Sequence, residues 1–587
     1  MANQANAKRR ESTVVAESDF FRRNRETIES IVIAVVLAFL FRTFLAEAFV
    51  IPTGSMAPTL MGRHVDIQCE QCGYQFPAGA SIENDNGARA VHGMPQQVVI
   101  RATCPLCRYS VDLKRKDMDD PDMDHESFNG DRILVEKFTY NIWDPQRWDV
   151  IVFKYPGNAK QNYIKRLIGL PNEAIRIRHG DIFTRPTDSN KAYRIARKPP
   201  AKMLAMMQMV HDTNYTAKDL AKADWPARWQ PWSPRVDGGT PQTSRVSGGE
   251  RNGFQIAGSS GEQWFRYYHY LHRRSKDWPG PIDKDAAKPN LITDHYAYND
   301  AQNNFAMDPH NPNDGELRQQ VSQGHHWVGD ICAEFEVQIK NDEGTVVLEI
   351  VEGGVHYQCH INVGSGQAKL TMGKSLQQFE SDDKTTRTAE PLANTRVRGA
   401  GTYRLRFSNF DNQLRLWVNS RLVKFNGPTT FATAMDSRPT WSQRDPGDIS
   451  PIAIAGRGAD LIVKRARLHR DVYYIATRSG SQSNDEYDLP TSPDEIHRIL
   501  HDPKLWSSDD GTAMFDSRPS IDSFQMGEGQ YFPLGDNSPQ SKDARYWSGS
   551  DEAEVTRKLL TGKALFIYWP HPWRYVIPNF KRMKIIR

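Results

Sequence analysis

Cysteine is scarce, with six in 587 residues, which excludes a small scaffold stapled by disulfides. Long apolar runs are missing as well. The conspicuous one, residues 31–41 (IVIAVVLAFLF), has 11 residues, against the roughly 20 that a membrane span needs. A mean hydropathy of -0.64 excludes a polytopic transporter. No block of like charge stands out: 75 Lys+Arg against 71 Asp+Glu leave a net +4, so the footprint of a nucleic-acid binder is missing. Internal repeats and low-complexity tracts are also lacking. What remains is 39% hydrophobic and 25% charged, the balance of folded domains, in a chain long enough for about three to five of them.

Residues 1–26 are polar and carry Lys8, Arg9, Arg10, Arg22, Arg23 and Arg25. Counted from Thr27 to Ala46, with Glu29 and Arg42 able to snorkel near the ends, the apolar stretch reaches spanning length. A cleaved secretory signal has a similar charged head and short apolar core, but residues 49–56, just beyond it, look functional. The expectation is an uncleaved anchor over 27–48, with 1–26 as a cytoplasmic tail and everything after it outside.

Three later segments carry chemistry. Residues 49–60 (FVIPTGSMAPTL) set Ser55 after a glycine and between two prolines, where Gly54 lets backbone approach a ligand and the prolines stiffen the turn. Residues 131–137, 149–154 and 162–169 read as strands, and the last puts Tyr163, Lys165 and Leu167 on one face. A lysine buried there loses hydration, its pKa falls, and a neutral amine becomes available as a general base. Residues 531–547 (YFPLGDNSPQSKDARYW) form a turn-rich loop in which Ser541, Asp543 and Arg545 alternate, before strand-like 562–569.

In order, TGSMAPTL (53–60), GDRILV (130–135), WDVIVF (148–153), YIKRLIGLP (163–171) and GDN…SxDxR (535–545) resemble bacterial type I signal peptidases, membrane-anchored serine proteases with a Ser–Lys dyad. The resemblance implies Ser55 as nucleophile and Lys165 as its base, with no cofactor for catalysis. It implies an oxyanion hole formed by the Ser55 N–H and the Thr53 hydroxyl, a position usually held by Ser; Thr keeps the donor. Ser541 matches the serine that orients the lysine, and Asp543 and Arg545 match the supporting ion pair. Phe49, Ile51, Met56 and Ile164 match residues lining shallow pockets for small side chains. Two departures are Ser538-Pro539, where many members carry Arg-Asp, and Asn172-Glu173, where Gly-Asp is usual. Neither falls on the dyad. The implied protein sits in the cell (inner) membrane by a single pass and removes signal peptides from exported preproteins, so its partners are those peptides and the lipid bilayer, with no nucleic acid.

The fold implied is mainly β: a signal-peptidase-type core on one N-terminal transmembrane helix, split over 49–62, 127–190 and 520–580. The first insertion, 63–126, holds Cys69/Cys72 and Cys104/Cys107. Two CxxC pairs supply four thiolates for one tetrahedral structural zinc, as in a zinc ribbon. Their 31-residue spacer exceeds the usual ~15–20, and disulfides or reduced thiols are the alternatives. The second insertion begins with an irregular connector, 191–249, with a helix around 201–210. Alternating segments at 331–339, 357–363 and 403–407, then 413–418 with a hairpin to 421–425 and a run over 460–468, read as a β-sandwich over 250–475, resembling a concanavalin-like jelly roll; Cys332 and Cys359 lie within it and are able to pair. A connector, 476–519, leads back to the core. Two other readings compete: a surface protein that binds a glycan or protein ligand on the sandwich, and a Ser–Lys self-cleaving repressor-like protease, which needs a DNA-binding domain.

Overall fold

The computed structural model describes residues 25, 27–37, 45–84, 98–113, 126–233, 246–249, 253–272, 282–284, 287–303, 324–373, 378–432, 438–476, 492–516, 524–547, 554–570, 572–573, 577–578 and 580–587. The fold is mainly β, and among the described residues no sheet closes into a barrel.

The site rests on an eight-stranded antiparallel sheet whose order is Ala46–Val50, Arg132–Glu136, Leu560–Trp569, Val150–Tyr155, Asn158–Gly169, Gln530–Leu534 and Val555–Thr556, with Lys584–Ile585 beside Leu560–Trp569. Strands distant in sequence interleave because each carries apolar residues at alternate or consecutive positions, and a sheet face must bury them. Ile133, Val135, Val150, Val152, Ala564 and Ile567 form one cluster on this sheet. A four-stranded sheet, Arg194–Ile195, Asp181–Pro186, Glu173–Arg178 and Phe524–Gln525, adjoins it. The two share a second cluster through Phe153, Leu167, Ile175, Ile177 and Phe532.

Residues 27–37 are helical, while 38–44 of the expected anchor lie outside the described residues. Among those described, no helix is long and apolar enough to cross a membrane. The anchor range 27–48 needs correction at its end: Ala46–Val50 pairs with Arg132–Glu136, because the hydrogen-bonding groups of a sheet edge find partners there.

Two large sheets make up most of the second insertion. One runs Val246–Gly249, Gly253–Ile256, Leu461–Arg470, Ile331–Ile339, Gly401–Phe410, Gln413–Val418 and Arg421–Leu422, with Gln208–Asp212 also on Leu461–Arg470. The other runs Trp229–Trp232, Gln263–Tyr267, Ile452–Arg457, Thr345–Glu352, Val355–Asn362, Gln367–Met372 and Leu392–Asn394. Phe254, Phe335, Leu405 and Val463 from the first meet Phe265, Leu348, Tyr357 and Ile454 from the second in a single cluster. Asp411 and Asn412 (φ 53° and 54°) and Asn419 and Ser420 (φ 48° and 66°) close the two tight hairpins, the positive-φ pairs that two-residue turns require.

Several boundaries differ from expectation. The segment 191–249 is no irregular connector: it contributes a core strand, the helix Pro200–Met206, and the sheet strands Gln208–Asp212 and Trp229–Trp232. Trp229 is the physical reason, since its ring stacks on Phe254 at 5.4 Å in the interior. The helix expected to reach 210 stops at Met206, where the chain turns extended to pair with Leu461–Arg470. The segment 476–519 is helical over Pro493–His501 and Asp509–Asp516, and Ile496, Ile499, Met514 and Phe515 pack with Leu291 and Ile449. The strand expected at 421–425 is only Arg421–Leu422. Cys332 and Cys359 are free and buried in different clusters. Trp417 is a core residue at 2% exposure.

The two insertions also touch. Gln302–Asn303 of the second pairs with Val99–Thr103 of the first, and Ala217 and Leu220 pack with the first insertion's Val65, Ile67 and Phe76.

Candidate active site

Ser55 lies in the short 3-10 turn Gly54–Met56, directly after the edge strand. Met56 is fully buried beside Leu60 and holds the turn against the sheet. Lys165 lies on Asn158–Gly169, paired with Ile151 of the neighbouring strand. Leu167, two residues on and therefore on the same strand face, is fully buried, and the alternation carries the lysine inward with it.

Lys165 Nζ donates to Ser55 Oγ at 2.8 Å and to the Ile164 carbonyl at 3.1 Å. At 5% exposure, Lys165 forms no ion pair among the described residues. Burial lowers its pKa from 10.5 to about 8; the carboxylates of Asp543 and Asp536 oppose that fall, and the Arg545 guanidinium adds to it. A lysine in this state yields an appreciable neutral fraction near neutral pH, close enough to take the proton of Ser55.

The loop after Gln530–Leu534 supports both residues. Asp543 and Arg545, each fully buried, form a two-bond ion pair at 2.8 Å and 2.8 Å. Asp543 also accepts from the Gly535 N–H, and Arg545 donates to Ser538 and to the Ile475 carbonyl. Ser538 therefore has a role in this chain: it accepts from Arg545 and from the Ile475 N–H. Asn172, the other departure, sits at φ 62°, a conformation Asn tolerates, while Glu173 accepts from the Leu170 N–H and from Arg147. Ser541 behaves differently from what the resemblance implies. Its hydroxyl is buried without a hydrogen-bond partner among the described residues, packed against Gly535, where an added Cβ would meet it at 2.2 Å. Thr53 is exposed at the head of the turn that holds Ser55. Phe49, Ile51, Met56 and Ile164 do come together, in one cluster at the edge of the sheet.

Residues that the motif roles did not single out complete the site. Arg166, next to Lys165 and fully buried, forms a two-bond ion pair with Asp536 at 2.7 Å and 2.7 Å. Asp536 also accepts from Thr59 and from the Tyr474 hydroxyl. Asn537 donates its N–H to the Ser55 carbonyl at 3.1 Å and its side-chain amide to the Gly54 carbonyl at 2.9 Å. Arg166, Asp536 and Asn537 stood inside the quoted motifs, so a signal existed for them. Tyr474 had none.

The four cysteines of the first insertion converge, with each sulfur within 4.8 Å of the others. The Cys69–Cys107 and Cys72–Cys104 separations are 3.5 and 3.6 Å. Sulfurs on one tetrahedral zinc at about 2.3 Å lie about 3.8 Å apart, so the set fits that ion. The two knuckles repeat one geometry: the N–H of Gly73 bonds to the Cys69 carbonyl and that of Arg108 to the Cys104 carbonyl, with φ of 76° and 65°.

Comparison with known proteins agrees with this arrangement. The family model described as "Signal peptidase, peptidase S26" matches residues 24–76, 107–223 and 476–569, which include Ser55, Lys165, Ser541, Asp543 and Arg545. Signal peptidase I of Pseudomonas fluorescens is 48% identical over 59 residues, 8% of this chain and 21% of that relative. Probable signal peptidase I-2 of Synechocystis sp. is 26% identical over 110 residues, covering 18% and 50%. Signal peptidase I P of Bacillus subtilis subsp. natto is 24% identical over 166 residues, covering 28% and 53%. The chain thus spans from about a fifth to about half of these relatives' lengths. Among solved structures, the carbohydrate binding module CBM66 from Bacillus subtilis is similar at 11% identity and a TM-score of 0.19, over 41% of this chain and 95% of that one. A score so low carries no argument.

Proposed function

We propose that this chain is a membrane-bound type I signal peptidase of the S26 family, which removes N-terminal signal peptides from exported preproteins. The 2.8 Å contact between Lys165 Nζ and Ser55 Oγ carries this reading. Neutral Lys165 takes the proton as Ser55 Oγ attacks the scissile carbonyl, and the Ser55 N–H and Thr53 hydroxyl receive the developing oxyanion. Lysine then returns the proton to the leaving amine, and water releases the acyl-enzyme by the same route in reverse. Asp543–Arg545 and Asp536–Arg166 hold the loop and strand that set this geometry, and Ser541 belongs to the same wall. Phe49, Ile51, Met56 and Ile164 shape a pocket that favours small residues before the scissile bond.

The helical residues Ile28, Ile31, Val32, Ile33 and Leu37 are each more than half exposed, which supports a lipid-embedded anchor that leads into the catalytic strand, with the tail cytoplasmic and the site across the membrane. One zinc held by Cys69, Cys72, Cys104 and Cys107 leaves no position for water and is structural. The two large sheets form a jelly-roll-like sandwich. Between it and the four-stranded sheet lies a cavity of about 520 Å³ lined by Phe183, Tyr193, Trp327 and Tyr473. This is where a glycan or protein ligand would bind if the chain were a surface receptor on a peptidase scaffold. The assembled dyad favours the peptidase.

Incubating the detergent-solubilised protein with a preprotein and sequencing the product's N-terminus tests the reading. Cleavage at the signal–mature junction, lost in Ser55→Ala, is the expected result. An unprocessed preprotein, or equal cleavage by Ser55→Ala, contradicts it.

A further inference from the structure

Residues 297–299 belong to the second insertion, outside every segment matched by the family model, yet they press on the nucleophile turn. The Tyr298 ring fills the space above Gly54: an added Cβ there would stand 2.4 Å from Tyr298 Cε1. Tyr298 is 4% exposed, donates its hydroxyl to the Arg63 carbonyl, and stacks on Tyr296. Next to it, Asn299 and Asn537 exchange two hydrogen bonds. Asn299 Nδ2 donates to Asn537 Oδ1 at 2.7 Å, and Asn537 Nδ2 donates to Asn299 Oδ1 at 2.7 Å. The same Asn537 amide donates to the Gly54 carbonyl, and its backbone N–H holds the Ser55 carbonyl.

A closed amide pair fixes the rotation of both side chains, and a buried amide that loses one partner is left with an unsatisfied group. Asn537 is 2% exposed, so its amide relies on protein partners. Without that partner the Asn537 amide is free to turn away from Gly54, and the turn that aims Ser55 Oγ at Lys165 loses one of its restraints. Small displacements of a nucleophile cost rate more than binding.

We infer that Asn299 is a positioning residue for Ser55, acting through Asn537, so that the second insertion forms part of the catalytic scaffold rather than hanging beside it. This rests on the peptidase reading above.

The test uses the full chain in detergent. Asn299→Ala should lower kcat about tenfold with KM within about twofold and the acid limb of the pH profile unmoved, since Lys165 is untouched. Asn299→Asp keeps size and an acceptor but loses the donor, and should fall between wild type and Asn299→Ala. In a double-mutant cycle, Asn299→Ala with Asn537→Ala should be no worse than Asn537→Ala alone. Unchanged kcat in both Asn299 variants, or additive losses in the cycle, overturns the inference while leaving the peptidase intact. Hydrogen exchange decides the matter even if no preprotein is cleaved, the case in which the functional reading falls. Faster exchange of the amides at 54–57 in the Asn299 variants supports the seat, and unchanged exchange overturns it.

Discussion

Lys165 and Lys198 are buried to nearly the same degree, 5% and 2% exposed, and their surroundings push their pKa values in opposite directions. Lys198 meets Asp411 and Asp471; burial works against its charge, but these carboxylates raise its pKa well above the ordinary value. Lys165 meets a hydroxyl and a carbonyl, and its pKa falls to about 8. One lysine is held as a cation, and the other is eased toward the neutral amine.

Cleavage should therefore rise with pH. Lys165 acts as the neutral amine, so kcat/KM should climb about tenfold per unit below pH 8 and level off above it. A preprotein assay from pH 6 to 9.5 checks this, and a flat profile across that range is incompatible with a lysine base.

The same burial affects stability with a defined sign. Between about pH 8 and 10.5 the unfolded lysine holds a proton that the native one has lost, so wild-type stability should rise with pH across that window. Lys165→Met removes the buried amine and should flatten this dependence. At pH 7 it should melt a few degrees higher than wild type while being inactive. Thermal melts at pH 7 and 9.5 read both effects.

Lys198→Met should do the reverse. It strands Asp411 and Asp471, 1% and 2% exposed on their side chains, with no cation between them. Loss of one partner of a buried pair costs roughly 3–5 kcal/mol, read by denaturant unfolding. Adding Asp471→Asn should recover part of the loss, because one of the stranded charges is gone.

The cysteine cluster predicts about one zinc per chain in purified protein, lost in Cys104→Ser/Cys107→Ser, with a lower Tm after chelation. Metal analysis with thiol titration checks it. No zinc together with four oxidised thiols supports disulfides instead.

Much of the site could be read from the sequence because its chemistry is local. Ser55 between prolines, Lys165 in an alternating strand and the Asp543/Arg545 spacing each carry their own signature, and the CxxC pairs announce a cluster. The strands at 331–339, 357–363 and 403–407 were legible from alternation, and the hairpin after 413–418 from its sequence. The rest depended on contacts that no window contains. Trp229 reads as part of an irregular, proline-rich stretch until Phe254 is beneath it, and Asn299 has no pattern at all until Asn537 faces it. The alternation of Ser541, Asp543 and Arg545 suggested an extended face. The chain instead enters the short helix Ala544–Trp547, because Asp543 and Arg545 pair with each other through two bonds, leaving Ser541 against Gly535.

The central claim is that an unprotonated lysine removes the Ser55 proton, and Lys165→Arg tests it most directly. Guanidinium keeps the positive charge and cannot act as a base at any pH of the assay. Preprotein cleavage by folded Lys165→Arg, measured at pH 8 beside wild type, should fall by about a thousandfold or more. A rate within about tenfold of wild type would contradict the account.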